Sequence, residues 1–394
     1  MHQKLSDLVL PSADEKMTFE SPTPSKYIVS STRSVSDSRR PRMTIERHQE
    51  NHEFLMRCIK EHMGFKDGKP VSACIIYKCL LHWHAFESER TAIFDHIITG
   101  INDVLKVGDD DYVLPYWLSN ASTLLCLLQR NLHSNARYPA ILFKQQLTAC
   151  VEKIFGFIRD NLKKELSPLL GLCITRRCST TFTKQSLENI IKFLDSLLNR
   201  LRGNFVPSFF IRKLITQVFS FINISLFNSL LLRRECCTFS NGEYVKSGLA
   251  ELEKWIVNTT EEFAGTSWHE LNYIRQAVGF LVIHQKRKKS LEEIKQDLCP
   301  ALTVRQICRI CTMYWDDKYG TQSVSNEAVA EMRDILNKDA LTTISNSFLL
   351  DDDLSIPFST EDISKAIPAI EPSDVELPPF LRELPPAQFL VMGT

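Results

Sequence analysis

Net charge is the first property that this 394-residue sequence lacks, because its 47 basic residues balance its 47 acidic residues. A protein without net charge has no overall field that draws it to nucleic acid or to an anionic membrane. Residues Met1 to Leu10 also lack the basic segment and apolar run of a secretory signal. The 12 cysteines are therefore expected to be reduced thiols that are mostly buried.

Glycine is scarce, with 13 residues, and no stretch alternates strictly between apolar and polar residues as half-buried strands do. No repeat of fixed period is present, which argues against a solenoid. Apolar residues recur instead at steps of three and four, the period of an amphipathic helix. The sequence therefore predicts an all-α fold, an elongated two-subdomain helical bundle with extended terminal segments.

Composition divides the chain into four parts. Residues 1–43 are rich in Ser and Pro and are expected to be a disordered linker. An N-terminal helical subdomain is expected over 44–180, with Thr44 as its first N-cap, and a C-terminal helical subdomain over 181–349. The acidic and proline-rich residues 350–394 are expected to lie extended over the helical body or to hang free.

Several helix boundaries follow from local signals. The stripe from Leu147 to Leu162 is expected to end at Ser167 and Pro168. The stripe from Leu187 to Leu201 is expected to close with Gly203 as its C-cap. Further helices are predicted at Tyr112 to Leu132, Leu249 to Val257, Trp268 to His284, Leu291 to Leu298, Thr303 to Tyr314 and Ser325 to Leu336.

The segment from Leu214 to Leu232 carries no charge over nineteen residues, which just reaches the length of a membrane span. Seven of these residues are polar, a load that is costly in lipid but easily satisfied in a helical bundle. The segment therefore predicts a buried core helix and no membrane span.

Sites of chemistry are expected to be absent. The segment Gly64 to Pro70 resembles a phosphate loop but is one residue short, lacks the hydroxyl that holds magnesium, and is better explained as a turn between helices. The pairs His48/His52, His82/His84 and Cys308/Cys311 lack the further ligands of a metal or redox site. We expect no catalytic residue, no cofactor and no metal, so the chain is predicted not to be an enzyme.

One basic cluster, Lys286, Arg287, Lys288 and Lys289, stands between two predicted helices. It has two interpretations. The first is a solvated turn, and the second is a patch that docks an acidic protein surface with salt-sensitive affinity.

Two strings of residues carry a family resemblance. The segment from Leu147 to Leu170 and the segment from Phe210 to Trp255, with its core IRKLITQVFSFINISLFNSLLLRRE, are similar to the tails of plant class XI myosins. Residues 205–323 resemble the dilute domain that these tails share with class V myosins. The turn from Gly64 to Ala73 is similar to the start of the globular tail in that family.

The resemblance implies a cargo-binding globular tail, cytoplasmic and peripheral on vesicles or organelles. Its implied partners are coiled-coil myosin receptors, by analogy small Rab GTPases, and a myosin motor head in an autoinhibited state. Basic residues that would dock the head correspond to Arg233 or Arg234 and to Lys288 and Lys289. Full-length relatives precede this region with a motor, light-chain-binding helices and a coiled coil, so the chain is expected to be a tail without its motor. The alternative is a helical scaffold or vesicle-tethering protein.

Overall fold

The computed structural model describes the backbone of residues 39–89, 91–107, 110–132, 136–174, 180–341 and 347–392, with side chains except at 39–44, 110, 131, 180–184 and 374. The chain divides into two compact units, Met1–His48 and Gln49–Thr394. In the first unit, the described residues form the N-terminal end of a helix. All other described elements belong to the second unit.

The described residues form helices and one short hairpin, so the predicted all-α class is confirmed. The helices are α1 (Arg39–Lys60), α2 (Val71–His82), α3 (Ile93–Val107), α4 (Asp110–Asn131), α5 (Tyr138–Cys173), α6 (Thr180–Gly203), α7 (Ser208–Leu232), α8 (Phe239–Thr259), α9 (Glu261–Ala264), α10 (Asn272–Leu281), α11 (Leu291–Glu293), α12 (Val304–Met313), α13 (Asn326–Ala340), α14 (Thr360–Ala366), α15 (Pro379–Arg382) and α16 (Gln388–Met392). The strands are β1 (Phe65–Lys66) and β2 (Lys69–Pro70).

Helix α7 lies at the centre of the packing. It contacts α5 on one side and α9, α10 and α12 on others, while α5 also packs on α3, α4 and α6. Twelve side chains of α7 are buried. Of the described helices, it alone is long and apolar enough to cross a membrane by length and composition. Its burial against protein agrees with the predicted core helix. The division into two subdomains stays a prediction.

The connection between α1 and α2 is a hairpin, a finer structure than the predicted turn. Strands β1 and β2 pair antiparallel around Asp67 and Gly68, which both have positive φ, 49° and 78°. Two consecutive left-handed residues make the type I′ turn, and Asp-Gly is its preferred sequence. Gly68 and Lys69, which gave the segment its resemblance to a phosphate loop, therefore belong to a backbone turn.

Helix α1 begins at Arg39, five residues before the predicted N-cap Thr44. The added residues are mostly arginines, which are good helix formers, and Pro41 lies in the first turn, where no N–H is needed. The predicted linker is thus helical over its last residues. Its remainder, residues 1–38, lies outside the described residues.

Helix α5 continues through Pro168 to Cys173, so the predicted end at Ser167 and Pro168 is wrong. The apolar stripe extends to Leu166 and Leu170, which are both buried. Pro168 is exposed, and so is Lys164, the residue whose carbonyl loses its helical hydrogen bond. Core packing on the opposite face outweighs the local cost of the proline.

Helix α6 ends at Gly203, but its left-handed residue is Phe205 with φ of 48°, so the predicted glycine C-cap is wrong. The N–H of Val206 donates to the carbonyl of Leu201, and the N–H of Phe205 donates to that of Arg202. This is the hydrogen-bond pattern of a Schellman motif. The Phe205 ring then packs beside Phe65, with ring centres 4.9 Å apart.

Helix α8 begins at Phe239, ten residues before the predicted Leu249. The Thr238 hydroxyl caps it by accepting the N–H of Asn241. Gly242 then lies so close to α10 that an added Cβ would stand 2.8 Å from Cβ of Leu281. The early turns of α8 are therefore held by a cap and a close helix contact, neither of which produces an apolar stripe.

Residues 347–392 lie across the helical body, one of the two arrangements that composition allowed. Side chains on successive helices donate hydrogen bonds to main-chain carbonyls of this segment. The donors and acceptors are Asn228 with Leu350, Arg159 with Leu354, Gln129 with Thr360, Arg130 with Ile367, and Lys78 with Val375. The segment therefore crosses α7, α5, α4 and α2 in chain order.

We expect Gly242→Ala to lower the free energy of unfolding by about 1–3 kcal/mol, because the new methyl group would overlap Leu281. Gly171→Ala in α5 is the matched control. No atom lies within 4 Å of an added Cβ there, so this variant should gain up to about 1 kcal/mol from helix propensity. Urea unfolding followed by circular dichroism measures both, and equal stabilities would contradict the close contact.

Candidate protein-docking surface

Lys286, the first residue of the predicted basic patch, lies inside the protein. Its side chain is 1% exposed. The ammonium Nζ donates to the carbonyl oxygens of Leu281, at 2.7 Å, and Ile283, at 2.6 Å. It also lies 4.1 Å from the centre of the Tyr314 ring. The expectation that Lys286 contributes to an exposed patch is therefore wrong, because its charge is satisfied internally.

Burial lowers the pKa of Lys286 to about 8, although the Asp316 carboxylate acts in the opposite direction. Two carbonyls and an aromatic face compensate part of the lost hydration. The sequence could not show this, because a lysine beside three other basic residues has the pattern of a solvated turn. The structural role of Lys286 is to hold the turn that carries its neighbours.

Arg287 and Lys288 are the exposed members of the cluster. They lie on a 3-10 turn, Lys286–Lys288, after α10. Arg287 donates to the Gln322 side chain. Lys289 is half-buried and forms an ion pair with Glu293 at 3.4 Å, next to the capping box of α11. The charge that faces solvent is thus carried mainly by Arg287 and Lys288.

Arg233 and Arg234 lie at the C-terminal end of α7, as the sequence indicated. Arg233 approaches Glu235 at 3.7 Å, a partly exposed pair of small energetic value. Arg234 is exposed. Phe239, five residues further on, places its ring 5.8 Å from the Lys286 ammonium. The connection from Arg233 to Phe239 thus joins the end of α7 to the packing beneath the basic turn.

The loop from Trp315 to Gln322 stands beside the turn and was not foreseen. The carboxylate of Asp316 accepts the N–H groups of Lys318, Tyr319 and Thr321, and also the Thr321 hydroxyl. Partial desolvation acts to raise the pKa of Asp316, but these hydrogen bonds hold it well below its usual range. The Asp316 side chain therefore fixes the conformation of the loop. Asp316 followed four residues later by Gly320 is the sequence signal that marked a turn.

Aromatic side chains accompany these charges, and among them Phe239 is buried while His284, Tyr319 and Trp315 are exposed. The rings of Phe239, His284 and Tyr319 contact one another with centres 5.0–5.2 Å apart. Tyr319 and Trp315 remain about half exposed, at 53% and 46%. Tyr, Trp and Arg are the residue types that most often anchor protein interfaces. The turn and the loop together form a rigid surface of aromatic and basic groups.

Two grooves flank α8. The first, of about 620 Å³, runs between α6 and α8 and is mainly apolar, with Ile190, Ile191 and Leu252 among its lining residues. The second, of about 510 Å³, lies between α8 and α10, where Trp268 stacks on the Arg275 guanidinium at 4.2 Å. Neither groove was predicted, because each is made by the spacing between helices.

The remaining candidates for chemistry lie on different helices: His52 on α1, His82 on α2, and Cys308 with Cys311 on α12. The His52 ring lies 4.1 Å from the His96 ring at an angle of 59°, and the His82 ring stacks on Phe389 at 3.7 Å. Cys311 is buried and Cys308 is half-buried. Across the described ranges, no three His, Cys, Asp or Glu side chains are grouped as metal ligands. Nine of the eleven described cysteines are buried, and burial raises the pKa of Cys237 to about 12.

Comparisons with known proteins agree with this helical architecture and with its family signature. The DIL domain model matches residues 213–318. The maize (Zea mays) "Protein OPAQUE1" is 63% identical over 97% of the chain, and "Myosin-15" of Arabidopsis thaliana is 63% identical over 99%. The chain belongs to the dilute-domain globular tails of class XI myosins. It spans about 29% of the length of these two relatives.

Solved structures support the fold of this globular tail. Apo Myo2-GTD matches with a TM-score of 0.68, and a "Myosin V cargo binding domain" with 0.67. Each match covers 90% of this chain and 98% of the other, at 16% identity. Globular tails of this family are non-catalytic, in agreement with the expectation for this chain.

The lowered pKa of the buried Lys286 makes the stability of the globular tail depend on pH. Between pH 8 and its ordinary pKa of 10.5, Lys286 binds fewer protons in the folded globular tail than in the unfolded chain. The stability of the wild type relative to Lys286→Met should therefore rise with pH in this window, by up to about 1.4 kcal/mol per pH unit.

Urea unfolding of both proteins from pH 7 to pH 10 tests this. Buried thiols with a raised pKa lower the free energy of unfolding as pH rises over the same range. They are common to both proteins, so their contribution cancels in the difference between them. A difference that does not change with pH would contradict the buried, partly neutralised lysine.

Proposed function

We propose that this globular tail binds adaptor proteins on vesicles and organelles and so couples them to actin-based transport. The observation that carries the proposal is the 63% identity to Arabidopsis Myosin-15 over 99% of the chain. The structural relative Myo2-GTD has been solved in complex with Mmr1, with Smy1 and with Inp2. The tail would act in the cytoplasm and reach membranes through its adaptors.

The apolar groove between α6 and α8 is the adaptor site that we favour. Its floor is aliphatic, while Glu188, Glu251 and Lys192 add charges to its lining. This combination suits the apolar stripe of an amphipathic helix, which a coiled-coil receptor can present. The alternative of a vesicle-tethering scaffold has no comparable support, because the similar relatives are myosins.

Ile191→Glu should weaken adaptor binding at least about tenfold, because a carboxylate in the groove would be desolvated by an apolar partner. Val257→Glu is the matched control on α8, where Val257 is 72% exposed and does not line the groove. Affinity purification with the full chain as bait, quantified against both variants, measures the effect.

Retention of coiled-coil receptors by the control and their loss from Ile191→Glu would support the proposal. Recovery of vesicle-tethering subunits alone by the wild type would support the scaffold instead. Small Rab GTPases are a second partner class, to be compared in their GTP-bound and GDP-bound forms in the same assay.

A myosin motor head is the third partner that we propose, docking on the surface formed by Arg287, Lys288, Arg233 and Arg234. Support comes from the exposure of Arg287, Lys288 and Arg234 and from the rigid loop beside the turn. Lys286 is left out of this contact, since its ammonium is buried. Lys289 would contribute less, because Glu293 neutralises it.

The double variant Arg287→Glu with Lys288→Glu should weaken head binding about tenfold or more at low salt, and less at high salt, because the interaction is between exposed charges. Arg333→Glu with Lys338→Glu, two exposed positions on α13, is the matched control. Titration of the head against each protein at two salt concentrations measures the effect. Equal, salt-independent affinities would remove the head from the proposed partners.

A further inference from the structure

The segment from Phe348 to Phe358, here called the strap, is bound to the helical body in the manner of a peptide ligand. The Asn228 side chain makes two hydrogen bonds to the main chain of Leu350. Its Nδ2 donates to the carbonyl at 2.9 Å, and its Oδ1 accepts the N–H at 2.8 Å. Gln306 donates to the carbonyl of Phe348 at 3.0 Å. These contacts recognise an extended main chain whatever its side chains are.

Helix α5 supplies the second part of the contact. Arg159 is only 6% exposed, and its Nη1 donates to the carbonyl of Leu354 at 2.7 Å and to that of Ser355 at 3.3 Å. Gln217 of α7 also donates to Ser355, at 3.2 Å. A buried guanidinium needs acceptors, and here the strap provides two of them.

Two side chains of the strap add selectivity. The Asp352 carboxylate pairs with the Lys163 ammonium at 2.7 Å, where Lys163 is 11% exposed. Six residues later, Phe358 is buried among Phe155 and Phe210, with ring centres 4.9 and 5.2 Å from its own. An acidic group and an aromatic ring at this spacing therefore define what the groove accepts.

Between these anchors the side chains of the strap are little buried, although Arg159 and Gln217 hold its main chain. Residues 351–355 are exposed, and the Leu354 side chain points largely into solvent. Residues 351–355 bury little apolar surface and open more readily than the core, and full opening also withdraws Phe358 from its aromatic neighbours. Opening would uncover Lys163, Arg159 and the phenylalanine faces, a groove of cationic and aromatic character. Its charge is complementary to the acidic run Asp351–Asp353.

We propose that this groove between α5 and α7 is a docking site for an acidic linear segment of a partner protein, and that the strap is its built-in competitor. The partner segment would be extended and would carry a carboxylate about six residues before an aromatic side chain. Only the choice of an adaptor as the partner rests on the proposed function. The groove itself can be tested with the sequence of the strap.

The experiment measures binding of a fluorescent peptide of residues 347–360 to the full chain by anisotropy. In the wild type, the tethered strap is present at a high effective concentration and should exclude the peptide. The chain variant Phe358→Ala loses its own anchor, so the same peptide should bind it at least about tenfold more tightly. Adding Asn228→Ala to this variant should reverse the gain.

A peptide with Phe358→Ala is the ligand control and should bind neither protein. If circular dichroism shows that the Phe358→Ala chain is unfolded, Asp352→Lys weakens the strap from its surface instead. Asp351→Lys is then its matched control, because Asp352 is the residue that pairs with Lys163. Tighter peptide binding to Asp352→Lys than to Asp351→Lys would support the proposal.

Equal peptide affinity for the wild type and for a folded strap variant would overturn it. So would a wild-type dimer that the peptide dissociates, because the occupant would then be a second copy of the chain. Either result leaves adaptor binding at the α6–α8 groove unaffected, since Ile191→Glu tests that separately.

Discussion

Helix α7 has charges only at Arg212 and Lys213, near its start, and then runs to Leu232 with apolar and small polar residues. A helix of this composition has to be covered on several sides to be stable in water. Helices α5, α9, α10 and α12 provide that cover. The positions of the candidate grooves and of the basic turn all follow from how these helices surround α7.

The polar side chains of α7 decide where neighbouring segments attach. Asn223 is buried, and its Oδ1 accepts the N–H of Ile274 near the start of α10. Asn228, near the other end, holds the main chain of Leu350. A buried amide that lacked these partners would cost free energy, so each asparagine fixes one connection in place. The same residues that excluded a membrane span therefore position the strap and α10.

Basic residues in one short run have opposite roles. The Lys286 side chain is buried in the interior, where two carbonyls and Tyr314 surround its ammonium. Arg287 and Lys288 remain in solvent because Lys286 holds the turn from below. The docking surface therefore depends on a buried cation for its shape and on exposed cations for its charge. Treating Lys286, Arg287, Lys288 and Lys289 as four equivalent exposed charges would overestimate the electrostatic field of this surface.

The sequence by itself determined the helical class, the core position of α7 and the family, because helical periodicity and long matching strings are local properties. It misplaced the end of α5, since Pro168 is locally a helix breaker while packing of the opposite face keeps it helical. It misplaced the start of α8, since the Thr238 cap and the contact of Gly242 with α10 leave no apolar stripe in the sequence.

Only the tertiary structure decided which basic residues face solvent, where the grooves lie and what the strap contacts. Lys286 and Lys288 have the same local environment in sequence, and they differ because Tyr314 and Phe239, distant along the chain, pack around only one of them. The burial of one lysine within a basic run is set by such distant neighbours, and the run itself does not encode it.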